Sequence, residues 1–238
     1  MSSIAIITAR GGSKRIPGKN IKDFCGKPII AYSIEAALKS ELFDVVMVST
    51  DSEEIADVAK SYGAEVPFMR SQKNSDDYAT TADVLHEVIS KYEELGQHFD
   101  IMCCIYPTAP FVTAEKLKMA YHIFENSDAE MLEPVVAYSY PPQRSFVLRD
   151  DMLEYQWPKY ILSRSQDLEK WYHDAGQFYF FNAKSYLRSV EKSSQDGYRL
   201  RCVPFILNEI EVQDIDNPID WKLAEAKFKI FQEVSDKY

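Results

Sequence analysis

With 238 residues, of which 46% are hydrophobic and 27% charged, the chain can bury a full core without covalent staples and is too apolar for an intrinsically disordered segment. Its formal net charge of −10 is unevenly spread: residues 1–27 carry six cations (Arg10, Lys14, Arg15, Lys19, Lys22, Lys27) against one anion (Asp23), while the remainder is strongly acidic. That distribution excludes a broad basic face for nucleic acid and points instead to one small anionic ligand held at one place.

The elements alternate through the first half. "SIAIIT" reads as a buried strand. "KPIIAYSIEAALKS" reads as a helix, with Ile30, Ile34, Ala37 and Leu38 at helical spacing. "DVVMVST" is a second buried strand, and "SEEIADVAKSYG" a helix that stops at Gly63. "VPFM" is short and extended. "TTADVLHEVISKYEEL" places Val84, Leu85, Val88, Ile89, Tyr92 and Leu95 on one helical face. "DIMCCIY" is another apolar strand, and "TAEKLKMAYHIF" a helix that Thr113 can cap. Apolar strands alternating with amphipathic helices predict an α/β fold of βαβ units, a parallel sheet covered on both faces.

After residue 131 the periodicity weakens. Prolines at 134, 141, 142 and 158 and many aromatics predict an inserted hairpin or subdomain, with its aromatic surface an oligomer contact and a place in the core as the alternative. "QFYFFN", "AKSYLRSV" and "RCVPFIL" then read as strand, short helix and strand. "NPIDWKLAEAKFKIFQEV" closes as a helix with Asn217 as N-cap, Pro218 at the first helical position, and Ile219, Leu223, Ala226, Ile230 and Val234 as its buried stripe. Cys25, Cys103, Cys104 and Cys202 show no metal-binding spacing and read as buried free thiols of a reducing compartment. No apolar run approaches the ~20 residues of a membrane span, and "IAII" is too short for a signal-peptide core, so the cytoplasm is the expected location.

The first strand runs into "TARGGSKRIPGKN", Thr8 to Asn20. The Walker phosphate loop G-x-x-x-x-G-K-[ST] fails by one residue: Gly12 to Gly18 encloses five, and Asn20 stands where a hydroxyl is needed. The dinucleotide fingerprint G-x-G-x-x-G is absent as well. What remains is a long loop whose backbone N–H groups can surround an anion, with Arg10, Lys14 and Lys19 supplying charge at separated points, as a triphosphate requires. Such a loop at the carboxyl end of strand one stands where ligands bind in open α/β sheets. In "STDS", Asp51 and Ser52 read as the cap of the next helix, with ligand binding by Asp51 as the alternative. Thr108 falls at the end of the strand "DIMCCIY", where substrate lies. In "QDIDNP", Asp214 and Asp216 are two apart in an extended stretch and point to the same side; a metal site, a helix N-terminus and plain surface all fit that spacing. His86 reads as structural.

"ARGGSKRIPGKN" followed by "GKPIIAYSI" resembles the cytidylyltransferases that activate 2-keto sugar acids, the CMP-sialic acid and CMP-Kdo synthetases among them. "VVMVSTDSEEIADVAKSYGAEVPFMR", "ATTADVL", "YPTAPF" and "QDIDNPIDWKLAEA" continue the resemblance, which runs from about Ile4 to Ala226 and weakens through 140–172. "CCIYPTAPF" and "DAGQFYFF" are most similar to the branch that acts on pseudaminic acid. The resemblance implies a Rossmann-like nucleotidyltransferase domain over 1–238, CTP and a sugar acid as substrates, Mg2+, and a homodimer formed through a segment at about 138–172. It implies that Arg10, Gly11, Gly12, Ser13, Lys14, Lys19 and Asn20 surround the CTP phosphates, Arg10 and Lys19 with a catalytic share. Arg70 and Ala79 to Thr81 would hold cytosine. Asp214 and Asp216 would bind the metal, and Tyr106, Thr108, Gln177 and Tyr179 would face the sugar.

Sialic acid synthetases usually carry Gln-Pro-Thr-Ser-Pro where this chain has Tyr106, Pro107, Thr108, Ala109 and Pro110. They carry Asn-Gly-Ala where it has Ala175, Gly176 and Gln177. Both changes fall on the sugar side. The reaction implied is CTP with pseudaminic acid giving the CMP-sugar and pyrophosphate, with sialic, legionaminic or Kdo-type acids as alternative substrates. Arg144, Arg149 and Arg164 are candidates for the sugar carboxylate, and His173 is near the sugar but not needed as a base. A non-catalytic nucleotide-binding regulatory protein is the alternative of another class, disfavoured by the retention of both aspartates; a basic-loop interaction module comes last.

Overall fold

The computed structural model describes residues 1–192 and 199–235. In chain order its strands are β1 (Ser3–Thr8), β2 (Asp23–Phe24), β3 (Lys27–Pro28), β4 (Val45–Ser49), β5 (Ile101–Ile105), β6 (Met131–Ala137), β7 (Phe146–Arg149), β8 (Met152–Tyr155), β9 (Tyr172–Asp174), β10 (Phe178–Asn182) and β11 (Cys202–Leu207). The helices are α1 (Ile29–Ser40), α2 (Glu53–Ser61), α3 (Thr81–Glu94), α4 (Ala114–Glu125), α5 (Ala183–Lys192) and α6 (Pro218–Ser235).

One seven-stranded sheet, in the order β11-β6-β10-β5-β1-β4 with β9 also paired to β6, carries the fold. β4, β1, β5, β6 and β11 run one way; β10 and β9 run against them. β1, β4 and β5 are continuous apolar runs because helices cover both faces of the sheet. Cys103 and Cys104 show that sandwich within one dipeptide. Cys103 packs with the side formed by Ile30, Ile34 and Leu117, and Cys104 with the side formed by Leu85, Val88 and Tyr186. The chain leaves β1 to β4 on one side and returns to β5 on the other, so the strand order switches at β1 and opens a crevice at its carboxyl end.

Local chemistry sets the helix starts. Ser52 accepts from Ile55 N at the start of α2, Thr113 accepts from Lys116 N at the start of α4, and Thr80 and Asp83 form a reciprocal capping box at α3.

Several expectations need correction. The strand-like character of the chain does not end at 131: β6 is a full member of the sheet with alternating burial, and only the stretch between β6 and β9 leaves it, carrying the separate hairpin β7–β8. Pro134 is tolerated inside β6 because the antiparallel partner changes there, from β10 at Leu132 to β9 at Val135. "VPFM" forms no strand; near it only Glu65 bridges to Met47. Of the four thiols expected to be buried, Cys103 and Cys104 are, while Cys25 and Cys202 are exposed. Leu95 lies past the end of α3 and is 64% exposed.

The largest correction concerns α6. Ile219, Leu223, Ala226, Ile230 and Val234 face outward, with Ile219 70% exposed. The buried face is Trp221, Ala224 and Phe228, joined by Phe231. Both sets have helical spacing, and the aromatic set wins because it meets aromatic partners. Phe228 packs edge-on against Phe24, Tyr32 and Phe111, with ring centroids 5.4, 5.0 and 5.9 Å away. This third cluster also takes in Ile16 of the opening loop and Ile215 between the two aspartates. It therefore fixes those two segments against each other.

Candidate active site

Two clefts open at the carboxyl ends of the parallel strands, the first at β1 and β5 and the second at β5 and β6. The first, about 320 Å³, is walled by the opening loop through Arg10, Ser13, Lys14, Arg15, Lys19 and Asn20. Arg70, Asn74, Asp76, Asp77 and Ala79–Thr81 lie opposite, with Tyr106, Thr108 and Asp216 also on its wall. The second, about 540 Å³, is lined by Tyr106, Ser139, His173, Asp174, Gly176, Glu209, Asp214 and Lys227 among others. Tyr106 belongs to both, so the clefts adjoin there.

The opening loop is held by its own residues. Gly11 N donates to Asp51 Oδ1 at 2.8 Å, and a Cβ on Gly11 would stand 3.1 Å from the Ser52 Cβ, so the close approach requires glycine. Asp51 is thus an anchor of the loop, and Ser52 alone caps α2. The buried Asn20 donates from Nδ2 to Arg10 O at 2.9 Å and ties the two ends of the loop together. Gly18, at φ 61°, makes the left-handed turn that brings Lys19 inward. Lys19 Nζ donates to Ile215 O at 2.7 Å. Burial lowers the Lys19 pKa from its ordinary value, against the opposing pull of Asp216 and Asp214.

Asp214 and Asp216 flank the buried Ile215, so both carboxylates turn away from the core. Asp216 borders the first cleft and pairs with Arg15 at 2.8 Å; Asp214 borders the second. They stand on the divide between the clefts rather than in one of them. Among the described residues no three His, Cys, Asp or Glu side chains converge as a metal cluster. Two oxygen-donor carboxylates beside a phosphate-sized cationic pocket fit a hard divalent cation, which takes one or two carboxylates and completes its shell with phosphate oxygens and water.

Arg70 is buried and fixed, its Nε donating to Ser49 Oγ at 3.0 Å and its backbone N to Thr50 O at 2.8 Å. Ala79 N is held by Asp76 Oδ1 at 2.8 Å.

On the sugar side the expectations divide. Tyr106 and Thr108 line the first cleft. Gln177 and Tyr179 stand behind the second cleft instead of on its wall. Gln177 is 3% exposed and donates from Nε2 to Glu211 O, leaving its Oε1 without a protein partner. Tyr179, likewise buried, packs edge-on to Tyr106 at 5.6 Å and donates its hydroxyl to Asp174 Oδ2 at 2.6 Å. Burial and the Asp174 contact both raise the Tyr179 pKa, so the phenol stays a donor. Asp174, absent from the sequence reading, is the carboxylate that reaches the wall. Its Oδ1 also accepts from Gly176 N at 2.7 Å, a local turn that "DAG" could have suggested.

None of Arg144, Arg149 and Arg164 lines either cleft. They bond to Ser165, Glu154 and Asp167 within the inserted segment.

Comparison with known proteins follows the same outline. A family model described as cytidylyltransferase matches residues 4–202. The chain is 43% identical over 234 residues to a pseudaminic acid cytidylyltransferase of Campylobacter jejuni, covering 98% of this chain and 99% of that one. It is 36% identical to a CMP-N,N'-diacetyllegionaminic acid synthase of Legionella pneumophila, covering 98% and 99%. Among solved structures, a CMP:2-keto-3-deoxy-manno-octonic acid synthetase complexed with CTP superposes at a TM-score of 0.67 with 18% identity, over 98% of this chain and 100% of that one; this likeness is one of fold.

Proposed function

The chain belongs to the cytidylyltransferase family, and we propose that it joins CTP to pseudaminic acid, giving CMP-pseudaminic acid and pyrophosphate. The observation that carries the reaction type is the pair of clefts meeting at Tyr106, one lined by Arg10, Lys14, Arg15, Lys19 and Arg70, with Asp214 and Asp216 on the divide. The similarity to the Campylobacter enzyme supports the choice of sugar.

The nucleotide lies in the first cleft. Arg10, Lys14 and Lys19 neutralise the phosphates, with the Ser13 side chain beside them on the cleft wall and the N–H groups of Gly11 and Ser13 spent on Asp51 Oδ1 and Gly11 O to shape the loop; Arg70 with Ala79 to Thr81 receives cytosine. The sugar acid lies in the second cleft against Tyr106 and Asp174, with Thr108 across the divide in the first cleft and with Gln177 and Tyr179 bracing the wall. Its anomeric hydroxyl oxygen attacks the α-phosphorus; the bond to the β-phosphate oxygen breaks and pyrophosphate leaves, while the hydroxyl proton passes to solvent. Such a transfer depends on in-line positioning and on neutralised charge more than on covalent chemistry by the protein. Magnesium bound by Asp214 and Asp216 would supply charge neutralisation at the α-phosphate and a lowered pKa for the attacking hydroxyl. Lys19, bonded to Ile215 O between those aspartates, keeps the cationic loop and the carboxylates in fixed relation. No described helix is long and apolar enough to cross a membrane, and we place the enzyme in the cytoplasm.

Side-by-side kinetics at saturating CTP, following pyrophosphate release, test the sugar. Pseudaminic acid is expected to give a kcat/KM about 10²-fold or more above that of N-acetylneuraminic acid, the scale at which hydrogen-bonding pockets reject a mismatch. Comparable values would replace the narrow reading with one enzyme for several nine-carbon acids. The similarity to the Legionella synthase favours legionaminic acid as the second substrate to assay.

The functional unit is proposed to be a homodimer built on the segment between β6 and β9. Tyr140 is 86% and Leu162 95% exposed there, and Phe146, Leu148, Met152 and Leu153 of the same segment are exposed as well, a concentration of apolar side chains that fits a partner contact. Light scattering at micromolar concentration is expected to give twice the chain mass of 27.4 kDa; a monomer would reject the assembly.

A further inference from the structure

We propose that Asp77 stands in for a nucleotide phosphate: its carboxylate holds Arg10 and Lys14 until a triphosphate takes them, and the 75–79 turn is a displaceable clasp on the nucleotide cleft. The inference rests on the nucleotide reading of that cleft.

The opening loop gives two of its cations to one carboxylate. Arg10 Nη1 lies 3.0 Å from Asp77 Oδ1, and Lys14 Nζ bonds Asp77 Oδ2. Arg10 Nη1 adds a bond to Asp76 O at 3.1 Å. The two carboxylate oxygens thus meet two separate cations, as two oxygens of a phosphate would. Asp77 is held below the usual carboxylate range first by Lys14 and then by Arg10, so it is ionised when it does so.

The turn is built to present this side chain. Asp76 is consumed in making it, its Oδ1 accepting from Tyr78 N and Ala79 N at 2.8 Å each. On one flank, Ser71 N and Asn74 Nδ2 bond Glu87 at 2.8 and 2.6 Å. On the other, Thr80 and Asp83 close the capping box of α3. With both flanks pinned, handing over the cations needs movement of the Asp77 side chain and the 76–78 turn only.

Competition decides whether the clasp opens. Arg10, Lys14 and Asp77 are 41%, 78% and 47% exposed, so each pair is a solvent-screened contact worth at most about a fivefold factor. A triphosphate, with more charge and more acceptor oxygens than one carboxylate, displaces it. An anion of low charge gains little by doing so.

The test is calorimetric titration of the wild-type protein, Asp77→Asn and Asp77→Glu with inorganic tripolyphosphate, with cytidine and with CTP, all without metal. Asp77→Asn is expected to bind tripolyphosphate and CTP about five- to tenfold more tightly. Cytidine affinity should be unchanged, and Asp77→Glu should stay near wild type. Equal or weaker tripolyphosphate binding by Asp77→Asn would overturn the clasp. Loss of cytidine binding would also overturn it and assign Asp77 to the base. Wild-type protein that fails to bind CTP even after magnesium is added would sink the cytidylyl reading instead, and the metal-free tripolyphosphate comparison would still decide the clasp by itself.

Discussion

Asp216→Asn and Asp214→Asn are each expected to lower kcat by about 10³-fold or more while the protein keeps its fold, the scale of several kcal/mol that a bound divalent ion contributes to a phosphoryl transition state. The substitutions leave the scaffold of the segment in place. Ile215 stays in its aromatic cluster, Ile215 O still accepts from Lys19, and Asp216 N still donates to Asp220 Oδ2 at 3.0 Å. What Asp216→Asn removes from the folded state is the pair with Arg15, between side chains 41% and 67% exposed, and exposed pairs contribute at most about 1 kcal/mol. Stability and turnover therefore separate: thermal denaturation should place both variants close to wild type, and pyrophosphate release should place them near background. A variant that turned over at the wild-type rate with magnesium would not carry a metal ligand at that position. Because Asp216 faces the nucleotide cleft and Asp214 the adjoining one, the two variants are also expected to differ in KM, Asp216→Asn for CTP and Asp214→Asn for the sugar acid.

The parts of this site that were legible in the sequence are those set by local pattern. β1, β4 and β5 read directly as strands because a sheet covered on both faces demands unbroken apolar runs. The opening loop read as an anion site because glycines and cations are concentrated just after β1. What local pattern could not give is partner choice over long separations. α6 offers two apolar stripes of the same period, and Phe24 and Phe111, far away in the chain, decide which is buried. Asp51 read as a cap or a ligand contact, and Asp77 carried no local signal at all. Their roles come from contacts 40 and 63 or more residues away, with Gly11, Lys14 and Arg10. Along β10 the alternation of faces was readable, yet not that Asp174, before the strand, would take the place on the cleft wall that Gln177 and Tyr179 only support.

Lys19→Ala is expected to lower kcat/KM for CTP by about 10²- to 10³-fold, the loss that follows removal of one fixed donor to developing charge. Three features single out Lys19 among the cations of the loop. It reaches the backbone of the aspartate segment, through Ile215 O at 2.7 Å, whereas Arg15 meets only the exposed Asp216 side chain. It is partly buried, so its charge is less screened than that of the exposed Lys14. It is held by Gly18 and by Ile16, whose place in the aromatic cluster sets where the ammonium lies. Lys22 is the control. Its Nζ sits 4.6 Å from the centre of the Trp221 ring, outside both clefts, and Lys22→Ala should leave kcat/KM nearly unchanged. The pH profile gives a second readout. Burial disfavours the charged form of Lys19, so its proton is lost at lower pH than from an exposed lysine. The wild-type kcat/KM should therefore fall on the alkaline side below the ordinary lysine range, and the residual activity of Lys19→Ala should lack that limb. Equal losses from Lys19→Ala and Lys22→Ala would mean that the loop attracts the nucleotide by its overall charge, with no defined phosphate contact at Lys19.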